Sequence, residues 1–326
     1  MNKKNFVNFL KKRNLTDEKI LESVKRVEKM ERFFKNENYI ISNVSQEVVE
    51  KYIEKLIITK ENSKDHLITL ARIFYLEERK DIYIYFTKIF GGLEVIQNIK
   101  NRMEKIVGEN LTKEIFFNLK EPTLGSKFTS FPLFTNELMK RIEKNITPEL
   151  LPKILAGNNH GLTSESQNAE QIFFKNSKSL DEYLKERHNR KVEELQKFAN
   201  SGDVWFEQII SQNTVDYVKS NQEILSAVRK GDKLYVTKIP YDTDKFLNTE
   251  DPILKKYYAC HCPFARESIL EKKEVPFNWC YCSAGFGKYP FEQILEKKLD
   301  VKLLNSALKG DFFCRFEIDL GNYIEK

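Results

Sequence analysis

The chain has 326 residues, of which 41% are hydrophobic and 31% charged, and its net charge is +6. This composition excludes a disordered tail and fits one large globular domain or two ordinary ones. No stretch reaches the roughly 18 uninterrupted apolar residues of a membrane-spanning helix. The basic start MNKKNFVNFLKKRNL lacks the apolar core of a signal peptide. We therefore expect a cytoplasmic protein with no membrane partner and with reduced thiols.

The first ninety residues predict four amphipathic helices. Apolar residues recur at helical spacing, and three of the four segments follow a capping residue, namely Thr16, Ser45 or Ser63. Short helices of this kind cannot bury their apolar faces singly, so we expect residues 1–90 to form an all-helical bundle. Residues 1–100 also hold 20 Lys or Arg against 15 Asp or Glu. This excess permits contact with nucleic acid, although a Lys-rich solvated surface explains it equally well.

The helix pattern of NFVNFLKKRNLTDEKILESVKRVEKMERFF, NVSQEVVEKYIEKL and SKDHLITLARIFYLE resembles the core-binding domain of tyrosine recombinases. That domain is a small helical bundle that clamps one side of a DNA duplex. Recombination also needs a tyrosine nucleophile with clustered Arg and His. This chain has four histidines and no such cluster, so strand cutting is excluded. The resemblance leaves DNA binding, or a bundle used for packing or dimerisation. The candidate DNA-binding residues are Lys11, Lys12, Arg13, Lys25, Arg26, Lys29 and Arg32.

The glycine pair Gly91-Gly92 marks a boundary, after which residues 93–326 predict a second domain. Helical patterns dominate up to about residue 200 and are interrupted by a turn-rich loop, EPTLGSKFTSFPLF. Further on, GDKLYVTKIPY predicts a strand, and DVKLLNSALKGDFFCRFEIDL predicts a hairpin that turns at Lys309-Gly310-Asp311. Helices combined with a mostly antiparallel sheet make the fold class α+β. His160, in GNNHGL, either caps a helix end or points into a pocket.

All five cysteines lie late in the chain, in YYACHCPFARESIL, in WCYCSAGF and at Cys314. In an extended segment residues i and i+2 share a face, so each C-x-C pair would present two thiols together. Cys314 falls in the second strand of the hairpin. Because Zn²⁺ accepts four thiolates, or three and an imidazole, we expect a zinc site. A thiol nucleophile and inert buried cysteines are the alternatives. The candidate ligands are Cys260, Cys262, Cys280, Cys282, Cys314 and His261.

The segment CPFARESIL predicts a helix that begins at Pro263, directly after Cys262. A helix N-terminus lowers the pKa of a neighbouring thiol and attracts anions, and Arg266 would clamp a carboxylate there. Lys238 and Tyr241, on the neighbouring strand, would line the same cavity. For these residues the alternative is a surface ion pair. The glycines of SAGFGK either help to bind phosphate or allow close packing of helix on sheet.

The segment WCYCSAGFGKYPFEQILEKKLDVKLLNSALKGDFFCRFEIDL resembles the end of the 4-vinyl reductase domain. Shared features are a Cys…Ala-Gly helix, a hairpin and a Gly-Asp-x-x-Cys-x-Phe ending. The matching residues are Cys280 or Cys282, Ala284-Gly285, Gly310-Asp311, Cys314 and Phe316. The resemblance implies a fold that extends back to about residue 100, binds a small molecule and in some members holds zinc through cysteines. Such domains occur as enzyme partners and as sensors in transcription activators.

The segment CPFARES is more loosely similar to L-2-amino-thiazoline-4-carboxylate hydrolase. Together the patterns predict a zinc-containing, small-molecule-binding protein with a DNA-binding-like helical domain, which would act as a ligand-responsive regulator. The alternative is an enzyme in which a zinc-bound water or a free cysteine attacks a small carboxylate-bearing substrate held by Arg266. A structural zinc site in an interaction protein is a third interpretation. Either a monomer or a homodimer fits the sequence.

Overall fold

The structure is a computed structural model in which residues 1–323 are described. The chain divides into two compact units. One, here called the helical unit, comprises Met1–Gly91 and Pro122–Lys127. The other, here called the cysteine unit, comprises Gly92–Glu121 and the chain from Phe128 onward. The predicted α+β class is confirmed, with helices throughout and antiparallel strands in the second unit. No helix within residues 1–323 is both long and apolar enough to cross a membrane.

The helical unit contains α1 (Lys3–Lys11), α2 (Asp17–Asn36), α3 (Gln46–Ile58), α4 (Lys64–Leu76) and α5 (Lys80–Gly91). The three predicted caps are confirmed. The side chains of Thr16, Ser45 and Ser63 accept the backbone N–H three residues on, which satisfies one of the free donors at each helix start. The apolar faces meet in a core whose largest fully buried side chains are Phe6, Phe34, Tyr52, Phe74 and Phe86.

A short segment from the predicted loop, Pro122–Lys127, belongs to the helical unit. Asn62 Nδ2 donates a 2.7 Å hydrogen bond to the Leu124 carbonyl oxygen. Gly125 has φ +89°, and a Cβ at this position would lie 2.6 Å from Ile53 Cγ2. The close approach to α3 therefore requires glycine. The predicted loop also ends earlier than expected, because Pro132 opens a helix that begins at Phe131.

The cysteine unit holds the remaining helices and all of the described strands. Its helices are α6 (Val95–Val107), α7 (Glu109–Phe116), α8 (Phe131–Asn145), α9 (Leu151–Leu155), α10 (Asn168–Asn176), α11 (Leu180–Ser201), α12 (Gln212–Lys219), α13 (Glu223–Ser226), α14 (Thr243–Asn248), α15 (Pro252–Ala259), α16 (Arg266–Glu271) and α17 (Tyr281–Ile294). Its strands are β1 (Val204–Trp205), β2 (Gln208–Ile209), β3 (Val228–Lys230), β4 (Lys233–Thr237), β5 (Asp300–Asn305) and β6 (Arg315–Asp319).

Four of the strands form one antiparallel sheet in the order β3-β4-β6-β5. The predicted strand at 231–241 and the predicted hairpin at 300–320 are both confirmed. In the centre of the sheet Val236 and Leu303 each pair with Phe316, and all three side chains are buried. Residues two apart on a strand share a face. The buried face of this sheet packs with Ala284 and Phe291 of α17 in one hydrophobic cluster.

Candidate metal and ligand site

The first C-x-C pair lies in a connection between two helices. Cys260 has extended backbone angles and follows α15. The Cys262 carbonyl oxygen then accepts the N–H groups of Ala265 and Arg266, at 3.2 and 2.9 Å. These bonds close a turn, so the prediction of a helix beginning at Pro263 is wrong. Helix α16 begins at Arg266 itself.

The second C-x-C pair is helical, and the prediction that it is extended is wrong. Cys280 ends a 3₁₀ turn that begins at Phe277, and Cys282 lies in the first turn of α17. Residues two apart on a helix point in nearly opposite directions, because each residue rotates by about 100°. Cys280 therefore packs into the sheet cluster, and Cys282 packs into a separate cluster that includes Trp279.

The fifth cysteine, Cys314, lies one residue before β6 rather than within it. Its carbonyl oxygen accepts a 2.9 Å hydrogen bond from the Lys238 N–H, so the backbones of the two residues remain adjacent beyond the end of the β4–β6 pairing. Lys238 likewise follows β4 directly, and Tyr241 lies in the connection beyond it. Cys314, Lys238 and Tyr241 thus lie where the two central strands of the sheet end.

Four of the five thiols form one electrostatic group, and the fifth, Cys282, is joined to it through Cys262, whose pKa the charge of Cys282 would raise further. Burial raises the pKa of Cys260, and the charges of Cys262 and Cys314 would raise it further. Burial also raises the pKa of Cys280 well above its usual range, and there the charges of Cys314, Cys260 and Cys262 add to the effect. Burial raises the pKa of Cys262 to about 12. Without a cation these thiols are therefore neutral at pH 7, since several thiolates together would repel one another.

Hydrogen-bond donors point at the sulfurs and favour their charged form. Trp279 Nε1 lies 3.1 Å from Cys262 Sγ. The donors that lower the pKa of these four thiols are the backbone N–H groups of Cys262, Phe264 and Ala307, the indole of Trp279 and the hydroxyl of Ser306. A neutral thiol is a weak acceptor, whereas a thiolate is a strong one. The donors therefore lower the pKa of the thiols, whereas burial raises it. A bound cation would stabilise the thiolates despite their burial.

Cys282 has different neighbours. Its Sγ lies 3.9 Å from His160 Nε2, in the turn after α9. Burial raises the pKa of Cys282, and a hydrogen bond from the Asn159 side chain together with the charges of Lys238 and Arg102 lowers it. Arg102 is held in place because it donates a 2.6 Å hydrogen bond to Asn159 Oδ1. His160, a candidate from the sequence, is thus brought to one of the thiols.

Lys238 is the half-buried cation of the site. Its Nζ donates a 3.1 Å hydrogen bond to Ser283 Oγ and lies 5.2 Å from the ring centroid of Phe286. Within residues 1–323 no carboxylate lies at ion-pair distance from Lys238, so a surface ion pair does not explain it. Its charge lowers the pKa of Cys262, Cys282 and Cys314. The thiols and Lys238 therefore form one electrostatic unit.

Arg266 lies away from solvent between two aromatic rings. Its side chain is 5% exposed, and its guanidinium carbon lies 4.1 Å from the Tyr241 ring centroid and 4.9 Å from that of Tyr257. Its Nε has no hydrogen-bond partner among the described residues. His261 lies edge-on to Tyr241, and its Nε2 is 2.7 Å from the Ile239 carbonyl oxygen. A carbonyl oxygen only accepts, so this nitrogen carries the proton.

The glycines of α17 serve packing, and phosphate binding by them is excluded. Both lie in the interior of the helix, where the backbone N–H groups are already hydrogen-bonded. A Cβ on Gly285 would lie 2.4 Å from the Gly157 carbonyl oxygen and 2.5 Å from the Ala156 carbonyl carbon. A Cβ on Gly287 would lie 3.2 Å from the ring of Phe316. Gly285 thus brings α17 against the turn that carries His160.

The candidate DNA-binding residues lie in the helical unit, most of them on one helix. Lys25, Lys29 and Arg32 follow one another at helical spacing on α2, and Lys29 forms an ion pair with Glu61. Arg26, on the same helix, forms an ion pair with Glu22. Lys11, Lys12 and Arg13 lie at the end of α1, where the Arg13 guanidinium stacks 3.5 Å over the Phe9 ring.

Comparison with known proteins gives a single partial match. Residues 240–324 match the model of a family of unknown function, DUF6144. No curated protein and no solved structure matches the chain. The matched segment contains all five cysteines as well as Tyr241 and Arg266, whereas Lys238 and His160 lie before it. Within residues 1–323 no three His, Cys, Asp or Glu side chains are arranged closely enough to hold a metal ion.

Four residues that affect the pKa of the thiols were not identified from the sequence. These residues are Arg102, Asn159, Trp279 and Ser306. Trp279 stands directly before Cys280, and its position beside a cysteine is a signal that the sequence offered. The other three lie at least twenty residues from the thiols that they affect. They are found only when the fold brings them together.

Proposed function

We propose that the cysteine unit holds a zinc ion through the thiolates of Cys260, Cys262, Cys280 and Cys314. The observation that carries this proposal is the set of hydrogen-bond donors directed at buried sulfurs. Donors of this kind stabilise thiolates around a metal, and burial of the thiolates would be costly without the charge of the metal. Because no three side chains converge as they stand, binding would require the thiol side chains to rotate towards one another.

We further propose that a small anionic molecule binds beside this site, near Lys238, Ser283 and His160. A half-buried ammonium group without a carboxylate partner supports an anionic ligand. The edge of the Phe286 ring, against which His160 packs with a centroid distance of 5.2 Å, would supply an apolar contact. Sensing of such a ligand, coupled to DNA contacts by the α2 lysines, would make the protein a ligand-responsive regulator.

Metal analysis by plasma mass spectrometry tests the zinc proposal. Protein purified without chelators is expected to contain about one zinc ion per chain. Cys260→Ser and Cys280→Ser are expected to lose it, and Cys282→Ser, the matched control, is expected to retain it. Trp279→Phe keeps an aromatic ring but removes the donor to Cys262, so it should weaken zinc binding by about 10- to 100-fold. Metal-free protein with five titratable thiols would overturn the proposal.

Anisotropy measurements with a labelled DNA duplex at low salt test the regulatory half. Phosphate contacts are strongest under these conditions, and they weaken as counterions are added. We expect the charge-removing variant Lys29→Gln combined with Arg32→Gln to weaken binding and to reduce its salt dependence. A protein that shows no binding at low salt would leave the zinc proposal intact and remove the DNA-binding one.

A second candidate function is thiol chemistry at Cys282. The observation that favours it is the 3.9 Å contact with His160, since a cysteine beside an imidazole is the arrangement of an activated nucleophile. Alkylation by iodoacetamide at pH 7, followed by peptide mapping, tests it. Rapid labelling of Cys282 that slows in His160→Gln would support an enzyme acting on a small carboxylate-bearing substrate. Uniformly slow labelling of all five thiols would count against it.

A further inference from the structure

The helical unit has a polar cleft of about 370 Å³ between α2 and the start of α4. Its basic lining residues are Lys25, Arg26, Lys29 and Lys60, and its acidic ones are Glu22 and Glu61. Two of the basic side chains are neutralised locally. Arg26 forms an ion pair with Glu22, and Lys29 Nζ lies 2.6 Å from each carboxylate oxygen of Glu61.

The other two lysines have no such partner. Lys25 and Lys60 are exposed, and within residues 1–323 no carboxylate lies at ion-pair distance from either of them. The cleft therefore carries an excess of positive charge. The same cleft contains the N-terminal end of α4, a helix of 13 residues whose first turn adds a partial positive charge. Both features attract an anion.

His66 adds a requirement that an anion alone does not meet. Its side chain lines the cleft and is only 3% exposed. Its Nδ1 lies 2.9 Å from the Glu61 carbonyl oxygen, and because a carbonyl only accepts, Nδ1 carries the proton. Burial and the charge of Arg26 lower the pKa of His66, so the ring is neutral at pH 7. Its Nε2 is then a buried lone pair, and it has no hydrogen-bond partner among the described residues.

We propose that this cleft binds hydrogen phosphate, whose charge is met by Lys25 and Lys60 and whose hydroxyl donates to Nε2 of His66. Among common anions, hydrogen phosphate is both negatively charged and a hydrogen-bond donor at neutral pH. Sulfate carries the same charge without a proton, and each diester phosphate of a DNA backbone carries one negative charge and no proton. The ligand thus differs from the DNA backbone, although the cleft shares Lys25, Arg26 and Lys29 with the DNA contacts proposed for α2, and the site does not depend on zinc.

Titration calorimetry on the full chain with sodium phosphate and sodium sulfate tests the proposal. At pH 7.5 and equal ionic strength we expect phosphate to bind at least about tenfold more tightly, because sulfate would leave Nε2 unsatisfied. Equal affinities, or no binding of phosphate, would overturn the proposal. A 5′-hydroxyl DNA duplex, titrated separately, distinguishes the two ideas. Binding of the duplex without binding of phosphate would reject the cleft and keep the DNA contacts.

Three variants assign the affinity to named side chains. Lys25→Gln and Lys60→Gln should each weaken phosphate binding several-fold, whereas Lys35→Gln, an exposed lysine of α2 outside the cleft, should not change it. In His66→Asn the amide can still donate to the Glu61 carbonyl, but Nε2 is gone. Phosphate should then bind no better than sulfate. If His66→Asn does not fold, the proposal is still tested by the two lysine variants and by the ratio of phosphate to sulfate affinity in the unmodified protein.

Methyl phosphate distinguishes free phosphate from an ester. A monoester loses its last proton near pH 6, so its binding should be measured at pH 5.5 and pH 8. Sulfate at both values controls for titration within the cleft. The groups that face His66 are Glu22, Lys25, Arg26 and Lys29 of α2, Lys60 and Glu61 before α4, and Asp65 in its own helix.

Ester binding that is present at pH 5.5 and lost at pH 8 supports a phosphomonoester site, and binding of inorganic phosphate alone supports a free-phosphate site. Ester binding that is equally tight at both values would overturn the role of the hydroxyl.

Discussion

The helical unit and the cysteine unit place their ionisable groups in opposite ways. In the helical unit the lysines of α2 lie at the surface, above a core built from Phe34, Phe74 and similar apolar side chains. In the cysteine unit four of the five thiols are buried, and three of these, the thiols of Cys280, Cys282 and Cys314, pack in the hydrophobic clusters themselves. Changes to the exposed lysines of the helical unit should therefore leave its stability unchanged, whereas changes near the thiols should alter both the stability of the cysteine unit and the properties of its site.

The largest expected effect is in the core of the helical unit. Phe74 is fully buried, and its ring centroid lies 5.8 Å from that of Phe86. Phe74→Ala removes this packing and leaves a cavity, so the free energy of unfolding should fall by about 3–5 kcal/mol. Urea unfolding followed by far-UV circular dichroism measures it. Leu21→Ala, on an exposed side of α2 with 56% of the side chain accessible, should change the value by less than about 0.5 kcal/mol.

Equal losses in Phe74→Ala and Leu21→Ala would contradict the division between core and surface. Measuring phosphate binding by a lysine variant gives a second test of the division between core and surface. Lys60→Gln should lose affinity for phosphate while its urea midpoint stays where it was, because Lys60 is exposed and contacts no carboxylate. A lysine variant that lost stability together with affinity would show that the cleft is part of the folding core after all.

The next effect is expected in α17. Gly285→Ala places a Cβ about where the backbone of Ala156 and Gly157 already lies, and a backbone cannot rotate away. We expect a loss of about 1–3 kcal/mol from overpacking. Gly287→Ala is the matched control, because it gains the same helix propensity but its Cβ would lie 3.2 Å from a side-chain ring, that of Phe316, and not 2.4 Å from a backbone atom. Both tryptophans, Trp205 and Trp279, lie in the cysteine unit, so their fluorescence during urea unfolding reports on it.

If Gly285→Ala were as stable as Gly287→Ala, the close contact of α17 with the turn after α9 would be incorrect. The position of His160 beside Cys282 depends on that contact. A destabilised Gly285→Ala should therefore also show altered reactivity of Cys282, whereas Gly287→Ala should not. This second readout separates a local shift at the site from general loss of packing.

The helices and strands were largely predictable, because their signals are local. Amphipathic spacing and the caps Thr16, Ser45 and Ser63 define α2, α3 and α4, and alternation defines β4. A helix cap accepts a backbone N–H within four residues, and the apolar-polar alternation of a strand is visible over five residues. No information from distant parts of the chain was needed. The candidate DNA-binding residues of α2 could be placed together on one helix for the same reason.

The geometry of the thiols was not predictable from local pattern. A C-x-C pair fits an extended segment or a helix equally well, and the two place the sulfurs on the same side or on opposite sides. The Trp279 backbone N–H donates to the Pro276 carbonyl oxygen, which starts a 3₁₀ turn in place of an extended segment. Ser306 reaches Cys280 only because the fold brings distant segments together. The sequence showed that the cysteines lie late in the chain, but it did not show how their sulfurs face one another.

An ion pair lies where the two central strands of the sheet end, and it stabilises the backbone next to Cys314. Arg315 donates two hydrogen bonds to Glu223, from Nε and Nη2, each 2.7 Å long. Thr237, the register partner of Arg315, donates a third at 3.1 Å. These three residues connect α13 to both central strands of the sheet next to Cys314, which lies directly before β6. The hydrogen bonds from Arg315 lower the pKa of Glu223 below its usual range.

The smallest expected effect follows from this pair and depends on pH. Glu223→Gln should lower the free energy of unfolding by about 1 kcal/mol at pH 7, a modest value because solvent partly screens the pair. A lowered carboxyl pKa contributes stability above the unfolded value of about 4.3, and the contribution is lost as pH falls through the folded value. In urea unfolding followed by tryptophan fluorescence, the variant and the unmodified protein should therefore differ at pH 7 and differ less at pH 3. Glu109→Gln, which breaks the exposed pair with Lys113, should have no measurable effect at either pH. A difference as large at pH 3 as at pH 7 would mean that Glu223 acts through packing and not through its charge.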